Sequence, residues 1–190
     1  IQDVIIQFQL HRLEKKYKDL HDSNYFHCIM PYLTQFMQSY PFDTVQSSLD
    51  KEDLSQYKLT FFPLADFNTA TLSATHFSLI YLDNRNGEMK LKHFDSHHQY
   101  NLNIAKQLAA IIAKLYDLPS SDLEPINSAQ QTNGFDCGVY VMSFIDNLIE
   151  AQGDINQANS ILTPQYVTNY RHEIRDYIPI YAEQIKSQNK

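Results

Sequence analysis

Apolar positions along the chain change their period several times, and each change marks an element. Ile6, Leu10, Leu13 and Tyr17 recur at helical spacing and predict a helix over 3–18, with Arg12, Glu14, Lys15, Lys16 and Lys18 on its solvated face. A second helix is expected over 26–39, with Pro31 in its first turns. Residues 41–56 are polar and read as a loop with a short turn of helix. Three strand candidates follow. Residues 58–64 are rich in aromatic and β-branched side chains, 76–82 form a compact apolar run, and 88–95 alternate, with Met89, Leu91 and His93 on one side. Between the last two lies Asn84-Arg85-Asn86-Gly87, whose Asn-Gly pair signals a hairpin.

Leu102, Ala105, Leu108, Ala109, Ile112 and Leu115 then form the apolar face of a helix over 101–116, ended by Pro119 and two serines. Residues 123–127 fit a short strand. The run 137–149 has almost no polar face and predicts a buried helix. Thr163 before Pro164 is a good cap and first-position pair for a last, more polar helix, which Pro179 is placed to kink or end. Strands in mid-chain with helices at both ends predict an α+β fold.

The 190 residues suit one domain, 1–190, and a 43% hydrophobic content supplies a core. With no Met at Ile1, the sequence reads as part of something longer. No apolar run approaches the ~20 residues of a membrane span, and Asp3 stands where a secretory signal would be basic. Two cysteines, Cys28 and Cys137, are too few for a disulfide scaffold and fit a reducing compartment, so a cytoplasmic location is expected. A net charge of −7 without a basic block argues against nucleic acid and favours a partner with a basic face.

Candidate chemistry centres on Cys137. It follows the polar stretch from Gln130 through Asp136 and opens the apolar helix. A thiol there feels the positive end of the helix dipole, which favours the nucleophilic thiolate. Gly138 leaves room for a substrate carbonyl, and Asp136 or Asn133 could cap the helix. The competing reading is a small buried residue opening a core helix. A cysteine nucleophile needs a base and a group to orient that base. His76 begins one strand and Asp95 ends the next. The turn near 84–87 lies about midway between them, so they should be neighbours at one end of the hairpin. Each also has a plain structural reading, as an edge histidine and a strand-ending acid. His93, Asp95 and His97 could share a face and hold a metal. No paired Cys or helical His pair accompanies them, and no metal is expected. Gln131, six positions before Cys137, could donate to an oxyanion, with Gln130 an equal rival.

Together these residues resemble the Ulp/sentrin-specific protease family of clan CE cysteine peptidases, relatives of adenain, the adenovirus protease. The match lies in His76-Phe77-Ser78-Leu79, Phe94-Asp95-Ser96 and Gln131 through Cys137-Gly138, in the family's order, with Cys137 standing 61 positions after His76 (137 − 76). It extends to Phe61-Phe62-Pro63-Leu64-Ala65-Asp66 and to Ile1-Gln2-Asp3-Val4-Ile5-Ile6, which looks like a worn copy of the family's N-terminal helix start. The resemblance implies a papain-like cysteine protease of the adenain/Ulp type, with a central mixed sheet flanked by helices. It makes Cys137 the nucleophile, His76 the base, Asp95 the orienter and Gln131 the oxyanion donor. The implied substrate is the Gly-Gly tail of ubiquitin or a ubiquitin-like protein, lying in a tunnel roofed by Phe77 where relatives carry Trp and opening beside Gly138. Asp66 and Asp3 become candidates to meet basic residues of that tail.

The implied enzyme is a monomer without a cofactor. The short spacing and the Phe-Asp-Ser-His run look most like the branch acting on the Nedd modifier, whereas relatives from intracellular bacteria often prefer ubiquitin. An Asn-, Gln-, Lys- and Ile-leaning composition without Trp suits an AT-rich genome. Ubiquitin and the Nedd modifier are therefore expected ahead of SUMO, in a host cytoplasm if the protein is a bacterial effector. Two alternatives share the motif. One is an acetyltransferase of the same clan, although such enzymes usually carry Glu where Asp95 stands. The other is a binding module that has lost catalysis.

Overall fold

The computed structural model describes residues 3–49, 52–68 and 73–188, with backbone alone for 184–188. In chain order the elements are α1 (Asp3–Lys16), α2 (Lys18–Asp22), β1 (Phe26–Cys28), α3 (Pro31–Ser39), α4 (Phe42–Ser48), a 3-10 turn (Leu54–Gln56), β2 (Leu59–Ala65), β3 (Phe77–Asp83), β4 (Lys90–Phe94), α5 (Leu102–Leu115), β5 (Leu123–Pro125), α6 (Cys137–Glu150), α7 (Ile155–Ser160) and α8 (Pro164–Gln188). One five-stranded sheet runs β1-β2-β3-β4-β5. Its three central strands are antiparallel, and β1 and β5 add parallel edges. The fold is α+β with a mixed sheet.

Both faces of the sheet are covered, which is why 58–64 and 76–82 read as continuous apolar runs. Leu59, Phe61, Leu79, Tyr81 and Phe94 point to one side, into a core completed by α1, α6 and α8. Phe62, Leu64, Ile80, Leu82 and Leu91 point to the other, against α3, α4 and α5. At the centre of the first core, Phe144 of α6 stacks on Phe94 of β4 with centroids 4.1 Å apart, and Tyr81 leans on it at 6.0 Å. Asp146 fastens α6 to its neighbours. Its carboxylate takes Lys16 Nζ and Tyr17 Oη from the α1 side, both at 2.8 Å, and Tyr170 Oη of α8 at 2.9 Å.

Several local expectations need correction. The helix over 3–18 is broken at Tyr17 into α1 and α2. The expected helix over 26–39 begins only at Pro31, because a residue before proline avoids the helical region, and Met30 is extended at φ −68°, ψ 145°. Upstream, Asn24 at φ 58° ends α2, and three residues then pair in parallel with β2. The turn between β3 and β4 is wider than a two-residue loop: Asp83 pairs with Lys90, and Gly87 at φ 77° closes on the Asn84 carbonyl. Residues 41–56 are more helical than expected, holding α4 and the 3-10 turn.

α7 carries no apolar period, since only Ala158 is buried; Asp154 caps it by accepting from Gln157 N at 3.0 Å. Thr163 does cap α8, its Oγ1 accepting from Tyr166 N at 3.2 Å. Pro179 does not end that helix. The carbonyl it strands belongs to exposed Arg175, where water can satisfy it. Ile1 and Gln2 of the N-terminal motif lie outside the described residues.

Because Phe144 is fully buried between the sheet and α6, Phe144→Ala should lower the free energy of unfolding by about 3–5 kcal/mol. Urea denaturation followed by circular dichroism measures this. A loss below about 1 kcal/mol would mean that the Phe94–Phe144 stack does not hold α6 to the sheet.

Candidate active site

The register of the β3–β4 hairpin sets the site. Leu79 pairs with Phe94, so the residue just before β3 and the residue just after β4 lie at the same end of the sheet. These are His76 and Asp95, and their side chains meet with Nε2 to Oδ1 at 2.7 Å. Asp95 is fully buried and held on every side. Its Oδ1 also accepts from His97 N at 2.8 Å and its Oδ2 from Asn101 N at 2.9 Å. Its own N–H donates to Ser128 Oγ at 3.1 Å, and its carbonyl accepts from Gln130 Nε2 at 3.2 Å.

The first core brings α6 across this end of the sheet, with Cys137 as its first residue. The His76 ring and the backbone N–H groups of Phe77 and Gly138 all act on the Cys137 sulfur to favour its charged form. Since Asp95 occupies Nε2, Nδ1 is the nitrogen left for the sulfur. Cys137 and His76 are only 6% and 4% exposed.

Burial opposes charge on all three groups, yet each shifts towards its charged form. For His76, hydrogen bonds and charge from Asp95 and Cys137 outweigh burial and push the ring up to about 9. Burial likewise raises the Cys137 thiol, but the His76 hydrogen bond, the Phe77 and Gly138 N–H groups and the imidazolium charge bring it below its ordinary value. Against its own burial, Asp95 is lowered by His76 and by the Asn101 and His97 N–H groups. All three shifts therefore favour a thiolate–imidazolium pair with a carboxylate behind the ring.

The two glutamines differ in their hydrogen bonds. Gln130 spends both amide hydrogens, on the carbonyls of Asp95 and Ser128, and its Oε1 accepts from His98 N at 2.7 Å. Gln131 accepts from Ser96 Oγ at 2.8 Å and gives one hydrogen to the Asn133 carbonyl at 2.6 Å, which leaves one N–H to offer. The expected side-chain cap on α6 is absent. Asp136 instead pairs with Arg171 of α8 at 2.6 Å and accepts from Asn133 Nδ2 at 2.8 Å, anchoring the turn that delivers Cys137.

Asp66 serves the chain itself. Its Oδ1 accepts from the N–H groups of Thr75 and His76 at 2.6 and 2.7 Å, and its Oδ2 from the Thr75 hydroxyl. Oδ1 is thereby saturated, and the carboxylate secures the entry to β3 on which His76 stands. Phe77 is buried in the same core as Cys137. Asp3 opens α1, and burial raises its carboxyl pKa. His93 is a buried ring tied to Gln99 Oε1 at 2.9 Å, and burial keeps it neutral. Among the described residues no three His, Cys, Asp or Glu side chains are arranged to hold a metal.

Sequence reasoning missed Asn101, Ser128 and Tyr100, and weighed His97 only as a possible metal ligand. Asn101 also donates to Ser78 Oγ at 3.2 Å and to the His76 carbonyl at 3.4 Å. The rings of Tyr100 and His97 lie 5.4 and 5.7 Å from that of His76. Only their closeness in sequence to Asp95 could have pointed to them.

Comparison with known proteins bears on the family and the fold. Residues 3–180 match the family model described as the Ulp1 protease family, C-terminal catalytic domain. No curated protein matches. Among solved structures, the Xanthomonas campestris effector protein XopD bound to ubiquitin is 22% identical, with a TM-score of 0.62 over 81% of this chain and 76% of that one. The SUMO protease Ulp1 with its catalytic cysteine oxidised to a sulfenic acid is 18% identical, with a TM-score of 0.68 over 96% and 78%. The Ulp1 protease domain in complex with Smt3, the yeast ortholog of SUMO, is 17% identical, with a TM-score of 0.61 over 92% and 76%.

The ion pair makes a test independent of any substrate. Alkylation of Cys137 by iodoacetamide should stay fast to lower pH than that of an ordinary thiol, because its pKa is lowered. In His76→Ala its midpoint should rise towards the ~8.5 of a free thiol. Cys28, whose thiol burial pushes well up, should stay unmodified in the folded protein. An unchanged midpoint in His76→Ala would show that His76 does not set the state of the sulfur.

Proposed function

The chain belongs to the Ulp1 protease family and is a thiol-dependent peptidase; from that premise we propose that it cuts after the C-terminal Gly-Gly of ubiquitin or a ubiquitin-like modifier, with Cys137 as nucleophile. The observation that carries this reading is the burial of the reacting groups, with Cys137 6% and His76 4% exposed. A carbonyl can reach such a sulfur only on a slender chain, and two glycines in succession are the slenderest a polypeptide offers. Selection then works by excluding side chains.

The proposed chemistry balances over the residues present. The Cys137 thiolate attacks the carbonyl carbon of the terminal glycine. Charge moves to the carbonyl oxygen, which the free N–H of Gln131 and the backbone N–H of Cys137 can meet; as the first helical residue, Cys137 has no acceptor for that N–H within α6. Collapse breaks the C–N bond as the His76 imidazolium gives its Nδ1 proton to the leaving amine. A thioester and a neutral ring remain. The ring then takes a proton from water, hydroxide adds to the thioester, and collapse releases the tail as a carboxylic acid with thiolate and imidazolium restored; the acid passes its proton to the released amine or to bulk water and becomes a carboxylate.

Ubiquitin and the Nedd modifier rank together ahead of SUMO, the Nedd modifier on the short His76-to-Cys137 spacing and the Phe94-Asp95-Ser96-His97 run. Support for ubiquitin comes from the XopD effector, whose structure holds it. The net charge of −7 suits a partner with a basic face. The inferred place of action is a reducing cytoplasm, that of a host if the protein is an effector.

Ubiquitin, the Nedd modifier and SUMO, each carrying a thiol-reactive group at the C-terminus, form the decisive panel. Mass spectrometry should find one adduct, on Cys137 and lost in Cys137→Ala, with ubiquitin or the Nedd modifier labelled faster than SUMO. With substrate, Asp95→Asn should lower kcat by about 10²–10⁴-fold, because the imidazole loses its orienting acceptor. Labelling of Cys28, or no adduct with any modifier, would sink the proposal.

A further inference from the structure

The His76 ring and the Asp95 carboxylate that holds it are buried. On one flank of the ring, His97 is exposed and Tyr100 is 60% exposed. These two rings stack on each other, 5.7 Å apart and 14° from parallel. Both stand nearly perpendicular to the imidazole, at 81° for His97 and 78° for Tyr100. An aromatic ring left in water beside a reacting group has no use in the core. We propose that the Tyr100–His97 pair is the leaving-side subsite and takes the aliphatic stem of a lysine whose ε-nitrogen carries the modifier tail. This rests on the protease reading above and adds which linkage the site prefers.

The argument is one of reach and charge. The leaving nitrogen must come within about 3 Å of His76 Nδ1 to receive its proton. The atoms that follow it therefore lie several ångströms further out, and the two ring centroids are 5.4 and 5.7 Å from that of the imidazole. An ε-linked lysine places four methylenes there, whereas an α-linked glycine places only backbone. The lysine nitrogen is neutral in the amide and gains positive charge as it is protonated, and a nearby aromatic face attracts it more as that charge grows. The subsite thus favours the transition state over the bound substrate.

The loop carrying these rings is held firmly. His98 and Gln99 both adopt left-handed backbone, φ 48° and 60°, which costs energy in a residue with a side chain. Five hydrogen bonds sustain it. Asp95 takes the N–H groups of His97 and Asn101, Gln130 Oε1 takes that of His98, and the Gln99 side chain bridges His93 and the Ile126 carbonyl. A rigid, strained loop that ends in an exposed ring beside the proton donor is the form expected of a positioned binding surface.

Two substrates test this for each of ubiquitin, the Nedd modifier and SUMO. In one, the modifier is joined to the ε-amine of lysine in a labelled peptide; in the other, it runs through an ordinary peptide bond into a labelled Gly-Ser peptide. Tyr100→Ala should lower the ratio of kcat/KM values, lysine-linked over Gly-Ser-linked, by about tenfold, mostly through kcat. Tyr100→Phe should keep the ratio, because the ring and not the hydroxyl carries the effect. Tyr100→Gln, which keeps a longer polar side chain but lacks a ring, serves if the alanine variant unfolds, and it should behave as alanine. Equal losses on both substrates, or an unchanged ratio, would overturn the subsite and leave the protease reading standing. Wild-type protein that cuts neither substrate with any modifier would overturn both.

Discussion

A carboxylate, an imidazole and a thiol share one water-poor space, and the charge on each is tolerable only because of the other two. Burial alone would make Asp95 and Cys137 harder to ionise and His76 harder to protonate. What reverses this is the chain of contacts from Asp95 through the ring to the sulfur, supplemented by N–H groups from His97, Asn101, Phe77 and Gly138. Removing one member leaves the others as uncompensated buried charge, which is expensive. The site is therefore cooperative in its electrostatics before any substrate arrives.

Much of the fold reads as the means of bringing those three groups together. The hairpin delivers His76 and Asp95 to one end of the sheet by register alone. Stacking of Phe144 on Phe94 then seats α6 on the residue next to Asp95, so the same contact that fills the core sets where the helix N-terminus falls. Polar residues finish the placement. Asp66 pins the entry to β3, the Asp136–Arg171 pair ties the turn before Cys137 to α8, and Gln130 clamps the strand end carrying Asp95. These are exact hydrogen-bonded fixtures in a site where a shift of about 1 Å matters.

What the sequence revealed and what it hid follow from this division. The meeting of His76 and Asp95 could be foreseen, because an antiparallel pair with a marked turn has nearly determined ends, and an error of a few residues in turn width moves both together. The burial of α6 was equally plain from a run with no polar face. By contrast, β1 is three residues long and pairs in parallel with a partner some thirty positions away in the chain, which no local period can signal. Gln130 and Gln131 are the same residue type side by side, and only the path of the loop decides which keeps a free N–H. Asp66 has the composition of an exposed acid. That it faces Thr75 and His76 depends on a bend in the chain that the sequence does not advertise.

The depth of the sulfur also constrains what any substrate must be. A surface thiolate would react with whatever carbonyl or oxidant came near, whereas one 6% exposed needs a chain that can be threaded to it. Threading costs conformational entropy, and glycine, the most mobile residue, loses the most. A folded modifier offsets that cost by binding elsewhere on the surface while its tail is drawn in, so recognition and chemistry are separated in space. It follows that the immediate surroundings of Cys137 specify a tail and not a modifier. The choice among ubiquitin-like proteins must then rest on surfaces well outside the triad, where relatives at 17–22% identity are free to differ while sharing the fold.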